Sequence, residues 1–395
     1  MGHLQSAKSN LIPLIDRLNR YPVGLVDNDK LREILSILFD DTEALVASKF
    51  PLEEATLPEL CRRTGMTDSE LVPVLERMAN KGLVMDVPYS GKTFYVLMPG
   101  FIGFMEFTFM RSREDLPMKK LAQLMTEYLQ QDGVNGQASE FFGSEHQLTR
   151  SLVYEDQIPT SSQITSYESA RDIIQNAGYH AVTMCYCRHK KEHLDKSCKK
   201  GAPVDGICMV LGEGARFLVR RGFATECTKE QMLDKLEVAR SFNLTHVTDN
   251  IRHKPSFVCN CCHCCCELMA GVQLGYSDGI AKTPFIATID KDQCDYCGDC
   301  FKACNVKTIG LDRSHKIESK SDRIAGIDQK VCLGCGACLP ACEKGAIELI
   351  DRPEYRPPLN RRSDLFKQML KEKKRFSPYV ISRIKKKIYS AFNRN

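Results

Sequence analysis

The sequence predicts an α+β multidomain chain: a helical front closed by a β-hairpin, a cysteine-rich middle of mixed helix and strand, and a duplicated cysteine-rich segment behind it. Three observations carry this prediction. Apolar residues recur at helical spacing between residues 29 and 82 and then alternate through 83–99. Cysteine is confined: of 20 in 395 residues, only Cys61 precedes Cys185 and none follows Cys342. Residues 287–349 hold one pattern twice, at an offset of 38. With 43% apolar and 27% charged residues the chain is globular in composition, which excludes the disordered, collagenous and coiled-coil classes.

In the front, residues 1–130, Leu31, Ile34, Leu35 and Leu38 repeat at helical spacing. Leu57 opens a second, short helix that ends near Gly65, and Thr67 opens a third with a capping box to Glu70. The third helix should bury Leu71, Val74, Leu75 and Met78 and stop at Gly82, after which the chain alternates around a Ser90-Gly91 turn. Helices and hairpin in this order resemble a winged-helix domain, a fold that serves DNA reading and protein docking alike. The third helix sets Asp68, Glu70 and Glu76 against Arg77 and Lys81, a balance that argues against DNA as partner and for docking. Two more helices are expected over 101–111 and 116–131, the second packing a stripe of Leu121, Leu124, Met125 and Tyr128. Cys61 is expected to be a buried structural thiol. Residues 131–165, polar and punctuated by Gly133, Gly136, Gly143 and Pro159, read as a linker.

Residues 166–286 form the cysteine-rich middle module. A helix over 166–177 leads into a strand at His180, and helices over 212–221 and 228–242 follow. Cys185, Cys187, Cys198 and Cys208 come first, and the segment CNCCHCCC adds Cys259, Cys261, Cys262, Cys264, Cys265 and Cys266. Thiols so crowded oxidise to one another unless something occupies them. The opening residues lack the apolar core and cleavage site of a secretory leader, so a reducing, cytoplasmic setting is expected. Metal is then the natural occupant. Cys185, Cys187, Cys198 and Cys208 are the first candidates for an additional iron–sulfur cluster, with CNCCHCCC supplying further ligands; zinc is the alternative, because sulfur-rich sites suit both. His189, His193 and His263 are near enough in sequence to ligate, but a lone histidine more often stands beside a site than in it. Cys227 is left over.

Residues 287–350 carry the repeat. Each copy holds Cys-x2-Cys-x2-Cys-x3-Cys: Cys294, Cys297, Cys300 and Cys304, then Cys332, Cys335, Cys338 and Cys342. Two-residue gaps let a tight loop wrap three corners of a cubane with its N–H groups facing the sulfurs, while the fourth corner comes from elsewhere. Gly298 and Gly336 permit the close backbone approach this requires. Here the chain resembles the bacterial two-cluster ferredoxins. The resemblance implies two [4Fe-4S] clusters, one held by Cys294, Cys297, Cys300 and Cys342, the other by Cys332, Cys335, Cys338 and Cys304. It departs from that family where a proline usually follows the fourth cysteine, since Asn305 and Glu343 stand there. The wider layout is similar to predicted iron–sulfur proteins of anaerobes.

The tail, residues 351–395, is basic: 352–395 carry a net charge of +11, which leaves −6 for the rest of a chain whose total is +5. Ile381, Ile384, Ile388 and Phe392 share a helical face beside Arg383, Lys385, Lys386 and Lys387, fit for an anionic membrane surface, an acidic partner protein or the chain's own body. No stretch is long and apolar enough to span a bilayer; the strongest, Phe94 to Met110, is broken by Pro99, Gly100, Gly103 and Glu106. Gly212-Glu-Gly214 lacks the third glycine of a nucleotide fingerprint, and no general acid–base pair stands out. The expected function is electron transfer, as a redox subunit or mediator of an oxidoreductase system that works with a redox partner protein. It would lie in the cytoplasm or peripherally on the inner membrane surface. The alternatives are a redox-sensing winged-helix transcription regulator and an oxidoreductase with an open iron site in the middle module.

Overall fold

The computed structural model describes residues 3–131, 136–158, 165–311 and 325–377. They form two compact units. One comprises the described residues up to Ser144 with Arg220–Phe223 and those from Phe366 onward; the other comprises Glu145–Val219 and Ala224–Leu365.

In the first unit α1 (His3–Leu18), α2 (Asp29–Leu38) and α3 (Asp41–Lys49) precede a short strand β1 (Ala55–Thr56). Then come α4 (Leu57–Thr64), α5 (Asp68–Lys81) and the hairpin β2 (Val84–Tyr89) and β3 (Lys92–Leu97), with β3 antiparallel between β1 and β2. The helical periodicities translate directly: α2 buries Leu31, Ile34, Leu35 and Leu38, and α5 buries Leu71, Val74, Leu75 and Met78. The Thr67–Glu70 capping box opens α5, and Gly82 at φ +77 ends it. The sequence pattern does not show α3, whose Glu43 is fully buried and pairs with Lys81 of α5 at 2.6 Å. Cys61 is only partly buried, its thiol on the Asp68 carboxylate at 3.1 Å and pushed up to about 11 by burial and that carboxylate.

The helix expected over 101–111 is reduced to a single turn, α6 (Met105–Thr108). Residues 101–103 leave helical geometry, and Ile102 sits in the left-handed region at φ +52. Just before them the backbone presses on Leu25, whose side chain would stand 2.7 Å from a Cβ at Gly100. Then α7 (Met118–Gln130) buries its predicted stripe. Helix α8 (Gln137–Phe142) falls where a linker was expected. It buries Phe141 and Phe142, sets Phe141 edge-on to Phe101 at 5.3 Å, and offers Glu140 to Lys373 and Arg375 at 2.8 and 2.7 Å. Glycine punctuation on both sides disguises this short helix as loop. Arg221, which belongs to the same unit, forks onto Glu76 and Asp86 at 2.5 and 2.9 Å, so part of the acid on α5 is neutralised by the chain itself.

The second unit is built on β4 (Thr149–Ser151), α9 (Ala170–Gln175), β5 (His180–Thr183), α10 (Tyr186–Glu192), β6 (Cys208–Leu211), α11 (Gly212–Arg220), β7 (Thr225–Glu226), α12 (Lys229–Ser241), β8 (Thr245–Asp249), β9 (Phe257–Cys261) and α13 (Glu267–Gln273). Its sheet runs β4-β8-β9-β6-β5-β7, every pair antiparallel. Edge strand β4 also lies in the expected linker, and Leu152, Val153 and Tyr154 after it are at most 1% exposed. Within 131–165, α8 therefore belongs to the first unit and β4 with residues 152–154 to the second.

Behind the sheet follow β10 (Phe285–Ile289), α14 (Asp299–Ala303), β11 (Ile309–Leu311), β12 (Ala325–Ile327) and β13 (Ile347–Asp351). Phe285, Ile347 and Leu349 share one apolar cluster with Ile207, Leu244, Val247 and the middle cysteines, so the core does not break at 286/287. Arg352 closes the segment by donating to the carbonyls of Thr283, Phe285 and Cys332 at 2.9, 2.8 and 2.8 Å. Helix α15 (Arg362–Glu372) follows. The apolar face expected at Ile381, Ile384, Ile388 and Phe392 lies outside the described residues. Among the described residues no helix is long and apolar enough to cross a membrane.

Candidate metal centres

In the repeat, β10 and β12 are equivalent, as are β11 and β13, yet β10 pairs with β13 and β11 with β12. Each copy thus lends its second strand to the other. Cys304 precedes β11 and Cys342 precedes β13, so the last cysteine of each run travels with the lent strand. The result is two cysteine sets: a cavity of about 110 Å³ lined by Cys294, Cys297, Cys300 and Cys342, and a tighter one lined by Cys304, Cys332, Cys335 and Cys338. Ile289, Ile309 and Ile347 wall the first with hydrocarbon. Gly298 and Gly336 take φ +82 and +80. Gly334, which the sequence did not single out, is more constrained: at φ +70, a Cβ would stand 2.0 Å from the Phe285 carbonyl oxygen.

The two sets differ in depth. Cys297 is exposed, whereas Cys304, Cys332 and Cys338 are buried. Burial pushes the Cys300 and Cys335 thiols up to about 11, so holding them as thiolates takes an offsetting charge, which a metal supplies. Four sulfurs around an apolar space are the donor set an iron–sulfur cluster needs.

Asn305, in the place of the usual proline, is 2% exposed and works as a bracket. Its amide donates to the Asn243 carbonyl and Thr245 Oγ1 at 2.8 and 3.0 Å, and its Oδ1 accepts from the His263 backbone N–H at 3.2 Å. The residue after Cys304 is thereby fastened to the middle of CNCCHCCC. A proline would leave those three groups without this partner.

The ten middle-module cysteines fall into two sets, divided differently from the sequence expectation. Cys198 does not join Cys185, Cys187 and Cys208 as their fourth ligand. It leaves the loop between α10 and β6 to meet Cys262, Cys264 and Cys265 in the turn between β9 and α13, all four sulfurs lying within 4.8 Å of one another. The other six form a chain of thiol contacts: Cys259 with Cys208, Cys208 with Cys185, Cys185 with Cys187, Cys187 with Cys266, and Cys266 with Cys261. Strand register sets the first link, because β6 and β9 run antiparallel with Met209 opposite Val258, a register that sets Cys208 across from Cys259 at the next position. Among the described residues the close group contains no histidine. Cys227 stays apart, packed on a different apolar cluster.

Among the buried residues around these sulfurs, the sequence offers Arg188 and Lys190 as counter-charges to bound thiolates but gives no sign of Asn260, His246 or Glu267. Arg188, 1% exposed, donates to the Asn260 carbonyl at 2.9 Å. Asn260, between Cys259 and Cys261, donates to the Ile207 carbonyl and meets His246 Nδ1, both at 2.6 Å. Burial holds His246 down to about 3, so its ring is neutral, and it stacks on Tyr154 at 4.9 Å. Lys190 in the last turn of α10 and Glu267 in the first turn of α13 form a buried ion pair at 2.5 Å. Together these contacts fix the backbone that presents the thiols.

No curated protein and no solved structure matches the chain. Residues 293–346 match the family model of the 4Fe-4S dicluster domain, and that stretch is a ferredoxin-type iron–sulfur domain.

Proposed function

We propose that this protein transfers electrons, as a redox subunit or mediator, with the dicluster domain joining an external redox partner to the cysteine centres of the middle module. The burial gradient carries the reading. Cys297 is the exposed ligand candidate and Phe301 beside it is 47% exposed, which marks the partner-facing end. Cys304, Cys332 and Cys338 face inward, and Asn305 binds that end to CNCCHCCC. Two bound [4Fe-4S] clusters would supply one-electron chemistry without an open coordination site. The chain's own residues wall them with isoleucine and hold the backbone that ligates them. The six-cysteine set is the place for a further iron–sulfur centre.

The part of the first unit from α2 to β3, residues 29–98, is proposed as a winged-helix-like docking domain. Asp68 and Glu70 at the start of α5, and Glu76 committed to Arg221, leave little to attract phosphates. The basic tail is proposed to meet an acidic partner or an anionic surface. A direct check is electron exchange: anaerobic protein reduced by a low-potential viologen should lose its visible absorption and be reoxidised promptly by a dye of higher potential. Cluster-loaded protein that exchanges electrons with neither dye contradicts the reading.

A further inference from the structure

Among the described residues, one set of four cysteines has every sulfur within 4.8 Å of every other; the pairwise chain of the six does not. Cys198 lies 3.7 Å from both Cys262 and Cys264, and Cys264 lies 3.6 Å from Cys262 and 3.7 Å from Cys265. Four thiolates at about 2.3 Å around one tetrahedral ion stand about 3.8 Å apart. A cubane cannot accept that spacing, because each of its four irons takes its own thiolate and the ligands stand outside separate corners of the cube. The same chain supplies the contrast: among the described residues, the cysteines lining the two ferredoxin-type cavities form no such close group.

We propose that Cys198, Cys262, Cys264 and Cys265 bind a single divalent transition-metal ion, zinc or iron, with no inorganic sulfide. Four thiolates and a divalent ion leave two negative charges, and the surroundings are built for them. The Arg188 guanidinium is buried among Cys185, Cys262, Cys208 and Cys198, with Cys198 and the Asn260 carbonyl as its hydrogen-bond partners. A guanidinium so buried inside a protein is costly unless anionic sulfur surrounds it. The Lys199 backbone N–H donates to Cys264 Sγ at 3.3 Å, a contact that stabilises a thiolate. The ion joins the loop after α10 to the turn before α13, directly beside the His263–Asn305 bracket, and so fixes the end of the middle module that adjoins Cys304. The site stands whether or not the dicluster domain carries electrons.

Metal and sulfide analysis of anaerobically purified full-length protein tests it. Wild-type protein should hold about one metal ion per chain beyond those that inorganic sulfide accounts for, and Cys265→Ser should remove that ion with sulfide unchanged. Cys265→His, which keeps a ligand, should restore it. Loss of about four iron and four sulfide together in Cys265→Ser would show a cluster at these residues and overturn the proposal. Unchanged metal in that variant would overturn it too. Should the serine variant fail to fold, wild-type protein decides: metal in excess of sulfide supports the site, and its absence overturns it. Total sulfide of at least about eight per chain reports separately on the dicluster domain.

Discussion

Cys342→Ser is expected to remove the cluster of the other copy of the repeat, the one wrapped by Cys294, Cys297 and Cys300, and to spare the one beside it in sequence. The cause is the strand exchange: β13 carries Cys342 onto β10, and the cavity of the first run contains it. Iron and sulfide of the dicluster domain should fall by about half. The double variant Cys342→Ser with Cys297→Ser should lose no more than either single variant, because both strike one cluster. Cys342→Ser with Cys335→Ser should lose both clusters. If instead the pair 342 and 335 is the one that loses only half, each run holds its own cluster and the exchanged assignment is wrong. Non-additivity of this kind separates shared from independent sites.

Gly334→Ala should destabilise the dicluster domain by about 2–5 kcal/mol, from a left-handed backbone penalty and a steric clash together. At φ +70 the new methyl would meet the Phe285 carbonyl oxygen at 2.0 Å, a backbone atom, and Thr283 Oγ1 at 2.2 Å, a hydroxyl already held by the Gly334 carbonyl at 2.8 Å. Gly336→Ala is the control: φ is +80, but the nearest atoms stand 3.4 Å or more away, so only the backbone penalty of about 1–2 kcal/mol applies. Cluster retention during thermal unfolding compares the two. Equal losses would show that the clash at Gly334 relaxes freely.

What the sequence makes legible is what is local. The capping boxes at Thr67 and Thr228, the buried stripes of α2, α5 and α7, and the doubled cysteine run each lie within one short window, and each appears where expected. What it hides depends on distant partners. Cys198 meets the CNCCHCCC turn only because β5, β6 and β9 lie side by side, so spacing along the chain groups it wrongly with Cys185, Cys187 and Cys208. Buried Asn260 and His246 read as ordinary polar residues until the sulfurs and Tyr154 surround them. Glycines flank α8 and polar residues fill β4, so both look like linker along the chain, although tertiary packing buries them. Asn305 looks like a defect beside the usual proline and is instead a bracket to the middle module.

One measurement bears most directly on the central claim: iron and acid-labile sulfide per chain in anaerobically purified protein, read with the electron paramagnetic resonance spectrum after chemical reduction. At least about eight iron and eight sulfide, with a spectrum broadened by two neighbouring reduced cubanes, are expected. Protein that carries zinc without sulfide, or iron that gives no reduced-cluster signal, would contradict it.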